Sequence, residues 1–300
     1  MVHRETFENR DERFRQKLKQ LVAKTLPVVF VSGTLMLTHC SSGPATKEGT
    51  QTEQTKEKVT EQAKEKATEK TTEPITEYPV VVDGRRPDGL CEPAFDDSYM
   101  TEERDIVSAF FARIVHLERS AVVAFEYLAR ELEAYNAPQE LIDIAYQAVE
   151  EEKEHARLMT QVVEHFGGAS IPPVEVAPFK LRPLYEIAFE NAEEGCTRET
   201  YGALMALWQA EAANDELVRS VCAQVGHDES RHAALSWAID EWVTPLLTIE
   251  QQQELMAIKA STMDVLREES RRPVHPALVK WAGYPTPQAA SLLLQDSFAA

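Results

Sequence analysis

Two eight-residue stretches decide the fold expected for this sequence: EEKEHARL at residues 151–158 and DESRHAAL at residues 228–235. Both read acid-Glu-x-x-His-Ala-x-Leu. The glutamates and histidines of the two motifs are Glu152, His155, Glu229 and His232. Because side chains three positions apart lie on one face of a helix, each Glu and His pair can point at a common centre. The two stretches therefore predict two helices that contribute matched groups to one site.

A lone acid-x-x-His pair would carry little weight here. The chain has 50 acidic residues and 8 histidines, and such a pair is usually a solvated helix face or a salt bridge. The matched context gives the motifs more weight, since Glu118 lies 34 residues before Glu152 and Glu194 lies 35 residues before Glu229. Each half of the chain therefore reads Glu, then Glu-x-x-His.

The apolar surroundings of these carboxylates predict that they are buried and need a positive partner. Glu118 lies on an apolar stripe that includes Phe125. An unpaired carboxylate in a core is costly, so a buried ring of four needs cations or protons. Two divalent metal ions would neutralise four carboxylates, and two imidazoles would complete the ligand set. Glu194 is preferred over its neighbours Glu193 and Glu199 because its spacing matches the other half.

Apolar residues spaced by three or four predict four long helices. These run from about Thr101 to the break at Asn136-Ala137-Pro138, from there to about Phe166, from about Leu184 to Ala212, and from Asn214-Asp215 to about Val243. Further helices are predicted near residues 248–270 and 287–296. Loops within each pair are short, and residues 167–183 form one long connection, as in the ferritin-like variant of the four-helix bundle. The predicted fold class is therefore all-α, a ferritin-like four-helix bundle with one long crossover and extra C-terminal helices.

Over about residues 101–243, the sequence resembles the ferritin-like superfamily of di-iron and di-manganese carboxylate proteins. The resemblance implies two Fe ions, or Mn, that react with oxygen or peroxide, and hence an oxidoreductase or an iron-handling protein. The implied metal ligands are Glu118, Glu152, His155, Glu194, Glu229 and His232. An internal salt-bridge network of the same residues is the alternative. The chain has no Cys-x-x-Cys pair, which argues against a rubrerythrin-like extra metal site.

Three further side chains are candidates for supporting such a site. Glu151 and Asp228 each precede a motif glutamate, and could accept a hydrogen bond from a ligand histidine across the bundle; surface charge is the alternative. Tyr201 lies seven residues after Glu194 and is a candidate hydrogen-bonding or radical partner, although packing is the preferred reading. Three cysteines leave room for one disulfide whose pairing stays open: Cys91, Cys196 and Cys222.

The first 40 residues predict an export signal. Residues 1–39 carry seven basic and four acidic side chains, and the stretch from Thr25 to His39 is uncharged and mostly apolar. Residues 37–40, Leu-Thr-His-Cys, resemble a bacterial lipobox, although His39 stands where a small residue is expected. The expectation is an exported lipoprotein, anchored in the membrane through Cys40 at the periplasmic face of the cell envelope. A buried apolar segment or a plain anchor is the alternative.

An eight-residue Thr/Glu/Lys unit repeats after Cys40, beginning TEQTKEKV at residues 52–59, and its low apolar content predicts a solvated tether. The expected organisation is a signal at 1–40, the tether at 41–78, an irregular lead-in at 79–100, the bundle at 101–245 and a helical extension at 246–300.

The net charge of the chain limits which kinds of partner it is expected to bind. The chain has 31 basic and 50 acidic residues and a net charge of −19, which argues against a nucleic-acid binder. The expected partners are a membrane, through the lipid anchor, and a second copy in a homodimer. The second class of function is a non-enzymatic, envelope-anchored helical bundle that binds a partner or scavenges metal.

Overall fold

The computed structural model describes residues 13, 16–20, 85–91, 93–95 and 100–297. All of them belong to one of the two compact units of the chain, the unit of residues 1–28 and 78–300. Cys40, the tether at 41–78 and most of the predicted export signal lie outside the described residues.

The described part of the chain is all-α. Its α-helices are α1 Glu103–Ala134, α2 Gln139–Phe166, α3 Leu184–Glu190, α4 Thr200–Ala212, α5 Glu216–Val243, α6 Ile249–Glu269, α7 Pro276–Trp281 and α8 Pro287–Ser297. A π-helical segment, Asn191–Glu199, joins α3 to α4 without a break, so residues 184–212 form one continuous helix, which we call the third helix. A single 3-10 turn, Thr244–Leu246, follows α5. The helix bounds lie within a few residues of the periodicity's predictions, whereas the π-helical segment and α7 were not predicted.

The long helices pack in antiparallel pairs. Oγ of Ser108, early in α1, donates to the main-chain oxygen of Val163, late in α2, at 2.9 Å. Nε1 of Trp237, late in α5, donates to Oγ1 of Thr200, the first residue of α4, at 3.2 Å. Short loops enforce this direction within each pair. The two pairs are joined by residues 167–183.

Local side chains and backbone set the helix ends. The Asp215 carboxylate caps α5 by accepting from the main-chain nitrogens of Leu217 and Val218, at 3.0 and 3.2 Å. Gly167 and Gly168 end α2 with φ values of +142° and +77°, which favour glycine. The bounds of the two motif helices are therefore fixed by residues that lie next to them.

The C-terminal helices cover the long ones. Nε1 of Trp281 in α7 donates to Oε2 of Glu103 at 2.9 Å, and Nε2 of Gln209 in α4 donates to the main-chain oxygen of Ala282 at 2.9 Å. In the part of the chain that the structure describes, no helix combines the length and apolar character that crossing a membrane requires.

Residues 85–91, which we call the strap, contain a turn in which the main-chain nitrogen of Leu90 donates to the main-chain oxygen of Pro87 at 3.2 Å. Leu90 forms an isolated antiparallel bridge with Val176 of the crossover connection. Gly89 adopts φ +74°, and a Cβ there would lie 2.9 Å from Cβ of Ala177. The strap can therefore approach the crossover this closely only with glycine at position 89.

Candidate metal centre

A group of acidic and imidazole side chains lies in the interior between the long helices. Its members, from α1, α2 and α5, are 0–1% exposed: Glu118, Glu152, His155, Glu229 and His232. Four of them offer ligand atoms that all lie within 4.8 Å of one another: Glu118, Glu152, His155 and Glu229. We call the five residues the carboxylate–histidine cluster. The structure thus brings together five of the six residues that the sequence nominated as ligands.

The two histidines face the carboxylates through the same ring atom. Nδ1 of His155 lies 3.5 Å from Oε2 of Glu118, 3.7 Å from Oε2 of Glu152 and 3.3 Å from Oε1 of Glu229. Nδ1 of His232 lies 3.1 Å from Oε1 of Glu152 and 3.6 Å from Oε1 of Glu229. Each imidazole therefore faces both motif glutamates, its own and that of the other helix.

The other ring nitrogen of each histidine points to a carboxylate on the opposite helix. Nε2 of His155 lies 3.3 Å from Oδ2 of Asp228, and Nε2 of His232 lies 2.9 Å from Oε2 of Glu151. Arg231 bonds to both of these acids, at 2.8 Å to Oδ1 of Asp228 and also to Oε1 of Glu151. A proton held on Nε2 leaves the lone pair of Nδ1 free to bind a metal ion.

The inward-facing atoms lack hydrogen-bond partners. Among the described residues, both carboxylate oxygens of Glu118, Glu152 and Glu229 accept no hydrogen bond, and Nδ1 of each cluster histidine makes none. Buried polar groups are almost always paired, and leaving a carboxylate unpaired is costly. Carboxylate oxygens with imidazole nitrogens are a donor set that Fe and Mn accept. The residues present therefore fit a metal centre.

The protonation of the metal-free cluster shows the same demand for positive charge. Burial raises the pKa of Glu118 well above its usual range, and the nearby charge of Glu152 adds to the effect. Burial lowers the pKa of His155 and His232, but the contacts of their rings with Asp228 and Glu151 and the nearby cluster carboxylates outweigh it and raise both. Burial opposes a low pKa for Glu152, but contacts with the two histidines prevail and lower it. Without metal ions, protons supply the charge that balances the carboxylates.

Glu194 is not one of the carboxylates brought together. Its Oε1 lies 3.3 Å from Nε of Arg198, its side chain is 13% exposed, and it lines a surface pocket of about 600 Å³ beside the strap. Glu199, which the sequence weighed as an alternative, is 1% exposed and interacts electrostatically with His232 and Glu229. Burial raises the pKa of Glu199 to about 7. Of the two glutamates, Glu199 is therefore the one whose charge acts on the cluster residues His232 and Glu229.

The π-helical segment explains this difference. Oγ1 of Thr197 donates to the main-chain oxygen of Ala192, five residues earlier, at 3.0 Å. A π turn holds more residues than an α turn, so positions beyond it move to another face of the helix. Counting residues along a regular α-helix therefore selects Glu194 and misses Glu199.

The remaining candidates occupy the interior or the surface without joining the cluster. Tyr201 is buried in α4 at 3% exposure. Among the described residues no disulfide is formed, with Cys196 and Cys222 buried and Cys91 exposed. Sequence reasoning did not find Ser236, whose Oγ donates to Oε2 of Glu199 at 2.6 Å, although its position four residues after His232 places both on one helix face.

Three carboxylates and two imidazoles thus come together in the interior, and a fourth buried carboxylate, Glu199, interacts electrostatically with His232 and Glu229. Such an arrangement can bind cations, exclude bulk water and hold the ligand histidines in one tautomer. No protein-family model, curated protein or solved structure matches this chain.

Proposed function

We propose that this protein is a ferritin-like di-metal carboxylate protein that binds two Fe or Mn ions and acts on oxygen or peroxide as an oxidoreductase or iron-handling protein. The observation that carries the proposal is the pair of inward-facing Nδ1 atoms among buried carboxylates that accept no hydrogen bond. The ligand set of two Glu-x-x-His motifs with a glutamate from each of two other helices is that of the di-iron carboxylate bundles.

The buried side chains of the site would have different roles in holding the metal ions. Glu152 and Glu229, which each lie near both histidines, would hold the metal together with those imidazoles, and Glu118 from α1 and Glu199 from the third helix would supply the other carboxylates. Bound Fe or Mn would supply redox and Lewis-acid chemistry at this site. The protein holds the carboxylates in place, fixes the imidazole tautomers from outside and keeps bulk water away.

The antiparallel pairs and the single crossover at 167–183 support the ferritin-like topology. The membrane anchor at Cys40, the tether at 41–78 and a location at the periplasmic face of the envelope belong to the same proposal, and they rest on sequence alone. A homodimer is also part of the proposal, and it likewise rests on sequence alone.

A second candidate is an envelope-anchored module that binds a partner or sequesters metal without turnover. The burial of the cluster favours it, because all five cluster side chains are at most 1% exposed and a substrate larger than oxygen or peroxide would need the fold to open.

Metal analysis of the full-length protein tests the proposal. After anaerobic incubation with Fe(II) or Mn(II) and removal of free ions, we expect about two ions per chain. Glu152→Ala combined with Glu229→Ala should abolish binding, while Glu150→Ala combined with Glu164→Ala, two exposed glutamates of α2, should leave it intact. Stoichiometry well below one ion in the wild-type protein would overturn the proposal.

Oxygen uptake then separates the two candidates. The Fe(II)-loaded protein should consume oxygen faster than the same Fe(II) with the Glu152 and Glu229 double variant, if the centre is redox-active. Tight metal binding with no extra oxygen or peroxide consumption would instead favour the sequestering module.

A further inference from the structure

A buried arginine enters the helices from outside them. Arg85 lies at the start of the strap and is 0% exposed. Its Nε donates to Oε1 of Glu190 at 2.9 Å, and its Nη2 donates to Oδ1 of Asn191 at 3.0 Å. The guanidinium therefore holds two neighbouring residues at the start of the π-helical segment with two differently directed N–H groups.

The hydrogen bonds continue from Asn191 to the centre. Nδ2 of Asn191 donates to the main-chain oxygen of Ser236 in α5 at 2.9 Å. Oγ of the same serine donates to Oε2 of Glu199 at 2.6 Å. Arg85 and Glu199 are thus connected through two residues, one on the third helix and one on α5.

The packing around this path leaves little room for other arrangements. A Cβ at Gly195 would lie 2.5 Å from Oγ of Ser236 and 2.9 Å from Oδ1 of Asn191. Only a residue without a side chain at position 195 lets the serine and the amide come together. Gly195 therefore packs directly against both side chains of the path, Asn191 and Ser236.

Arg85 also lies near an aromatic ring that packs against the centre. Its Cζ lies 5.9 Å from the ring centroid of Phe125, whose ring centroid is 4.8 Å from that of His232. The phenyl ring thus has the guanidinium and the imidazole as neighbours. Glu190 pairs with the guanidinium, and the charge of Arg85 also acts on Glu199, whose pKa it lowers against the effect of burial.

We propose that Arg85 is a positioning residue for the metal centre. Acting through Asn191 and Ser236, it fixes the carboxylate of Glu199 in the orientation that binds metal. This proposal rests on the proposed function. It makes the strap, which precedes the helices in the chain, part of the metal site.

A double-mutant cycle on metal affinity tests this role in the full-length protein. Affinity for Mn(II) is measured by competition with a chelator of known affinity. Arg85→Met should weaken binding by about 10- to 100-fold, the usual effect of removing an outer hydrogen-bonding partner of a ligand. Ser236→Ala should weaken it by a similar factor. Both substitutions break the same path. The affinity of the double variant for Mn(II) should therefore be about equal to that of whichever single variant binds Mn(II) less tightly.

Two further variants separate positioning from charge and from general stability. Arg85→Lys keeps the charge but replaces the rigid guanidinium fork with a single flexible ammonium group, which cannot reproduce the two differently directed hydrogen bonds, so it should also weaken binding. It serves as the second arm of the cycle if Arg85→Met does not fold, as judged by circular dichroism. Arg182→Met is the matched control, because Arg182 bonds to Glu131 and Glu190 but not to Asn191. It should leave the affinity within about twofold.

The outcomes distinguish this role from the proposed function. If the wild-type protein binds no metal, the proposed function fails and the role of Arg85 fails with it. If the wild-type protein binds metal and Arg85→Met or Arg85→Lys binds equally well, only the positioning role is overturned. Effects of Arg85→Met and Ser236→Ala that multiply in the double variant also overturn it, since independent paths would then carry them.

Discussion

Nε2 of His232 in α5 lies 2.9 Å from Oε2 of Glu151 in α2. The mirror contact joins His155 of α2 to Asp228 of α5 at 3.3 Å. Each motif helix therefore supplies both an imidazole and the acid that orients the imidazole of the other helix. The residue directly before each motif glutamate consequently fixes a histidine that lies more than 70 positions away in the sequence.

We expect Glu151→Ala to weaken metal binding by about 10- to 100-fold, because His232 then loses the acceptor that holds its Nε2 proton. Competition with a chelator measures the affinity. Glu150→Ala is the matched control, since Glu150 is exposed and accepts a hydrogen bond from Nζ of Lys153, one turn further along the same helix. Equal affinity of the two variants would show that the tautomer of His232 is fixed without Glu151.

Glu199→Ala and Glu194→Ala should differ sharply. Glu199 is buried and interacts electrostatically with His232 and Glu229, whereas Glu194 pairs with Arg198 beside a surface pocket. We therefore expect Glu199→Ala to lower the bound metal towards one ion per chain and Glu194→Ala to leave it at about two. Metal analysis after gel filtration gives the stoichiometry. The reverse result would assign the third-helix ligand to Glu194.

The metal-free protein should lose stability as the pH rises. Burial raises the pKa of Glu199 from 4.5 to about 7, so the folded state holds a proton that the unfolded state releases, and its ionisation costs about 3 kcal/mol of unfolding free energy by pH 8. The raised pKa of His155 and His232 acts in the same direction, since their stabilisation is complete below 6.5 and is lost as the pH rises through the folded pKa.

Metal ions should reverse this slope, because they bind the deprotonated ligands. Thermal unfolding from about pH 5.5 to about pH 8.5, with and without chelator, measures both slopes. Parallel curves in the two conditions would contradict the assignment of the cluster as the metal site.

Glu118→Gln should stabilise the metal-free protein while weakening metal binding. The substitution removes a buried carboxyl group whose ionisation is opposed by burial and by Glu152, so the gain should be small at pH 5 and rise to about 1–3 kcal/mol above pH 8. Denaturant unfolding at the two pH values measures it. Glu126→Gln, at an exposed position of the same helix, should change neither property. A loss of stability at high pH would show that Glu118 is held by partners other than metal.

The sequence predicted the helices and most of the site because both rest on short-range periodicity. Apolar spacing and breaks such as Pro138 and Gly167 placed the long helices within a few residues. The repeated acid-Glu-x-x-His pattern selected Glu152, His155, Glu229 and His232, whose geometry follows from one helical turn. These inferences need no knowledge of how the helices pack.

Two features of the site depend on tertiary structure, and no short-range sequence pattern predicts them. Glu199 reaches the cluster because the π-helical segment changes the helix face, and a π turn cannot be counted from apolar spacing. Arg85 lies in a lead-in without periodicity, where a single arginine looks like a surface residue. Its burial follows from pairing with Glu190 and Asn191, more than 100 positions away.

The strap has a consequence for how the length of this chain can vary in evolution. Arg85 is held in the interior at one end, α1 begins at Glu103 at the other, and Leu90 is paired with Val176 between them. A residue inserted between Arg85 and Leu90 would either draw Arg85 away from Glu190 or shift the pairing at Leu90. Gains and losses of residues should therefore collect before the strap, in the repeats, where one more unit moves no carboxylate of the centre.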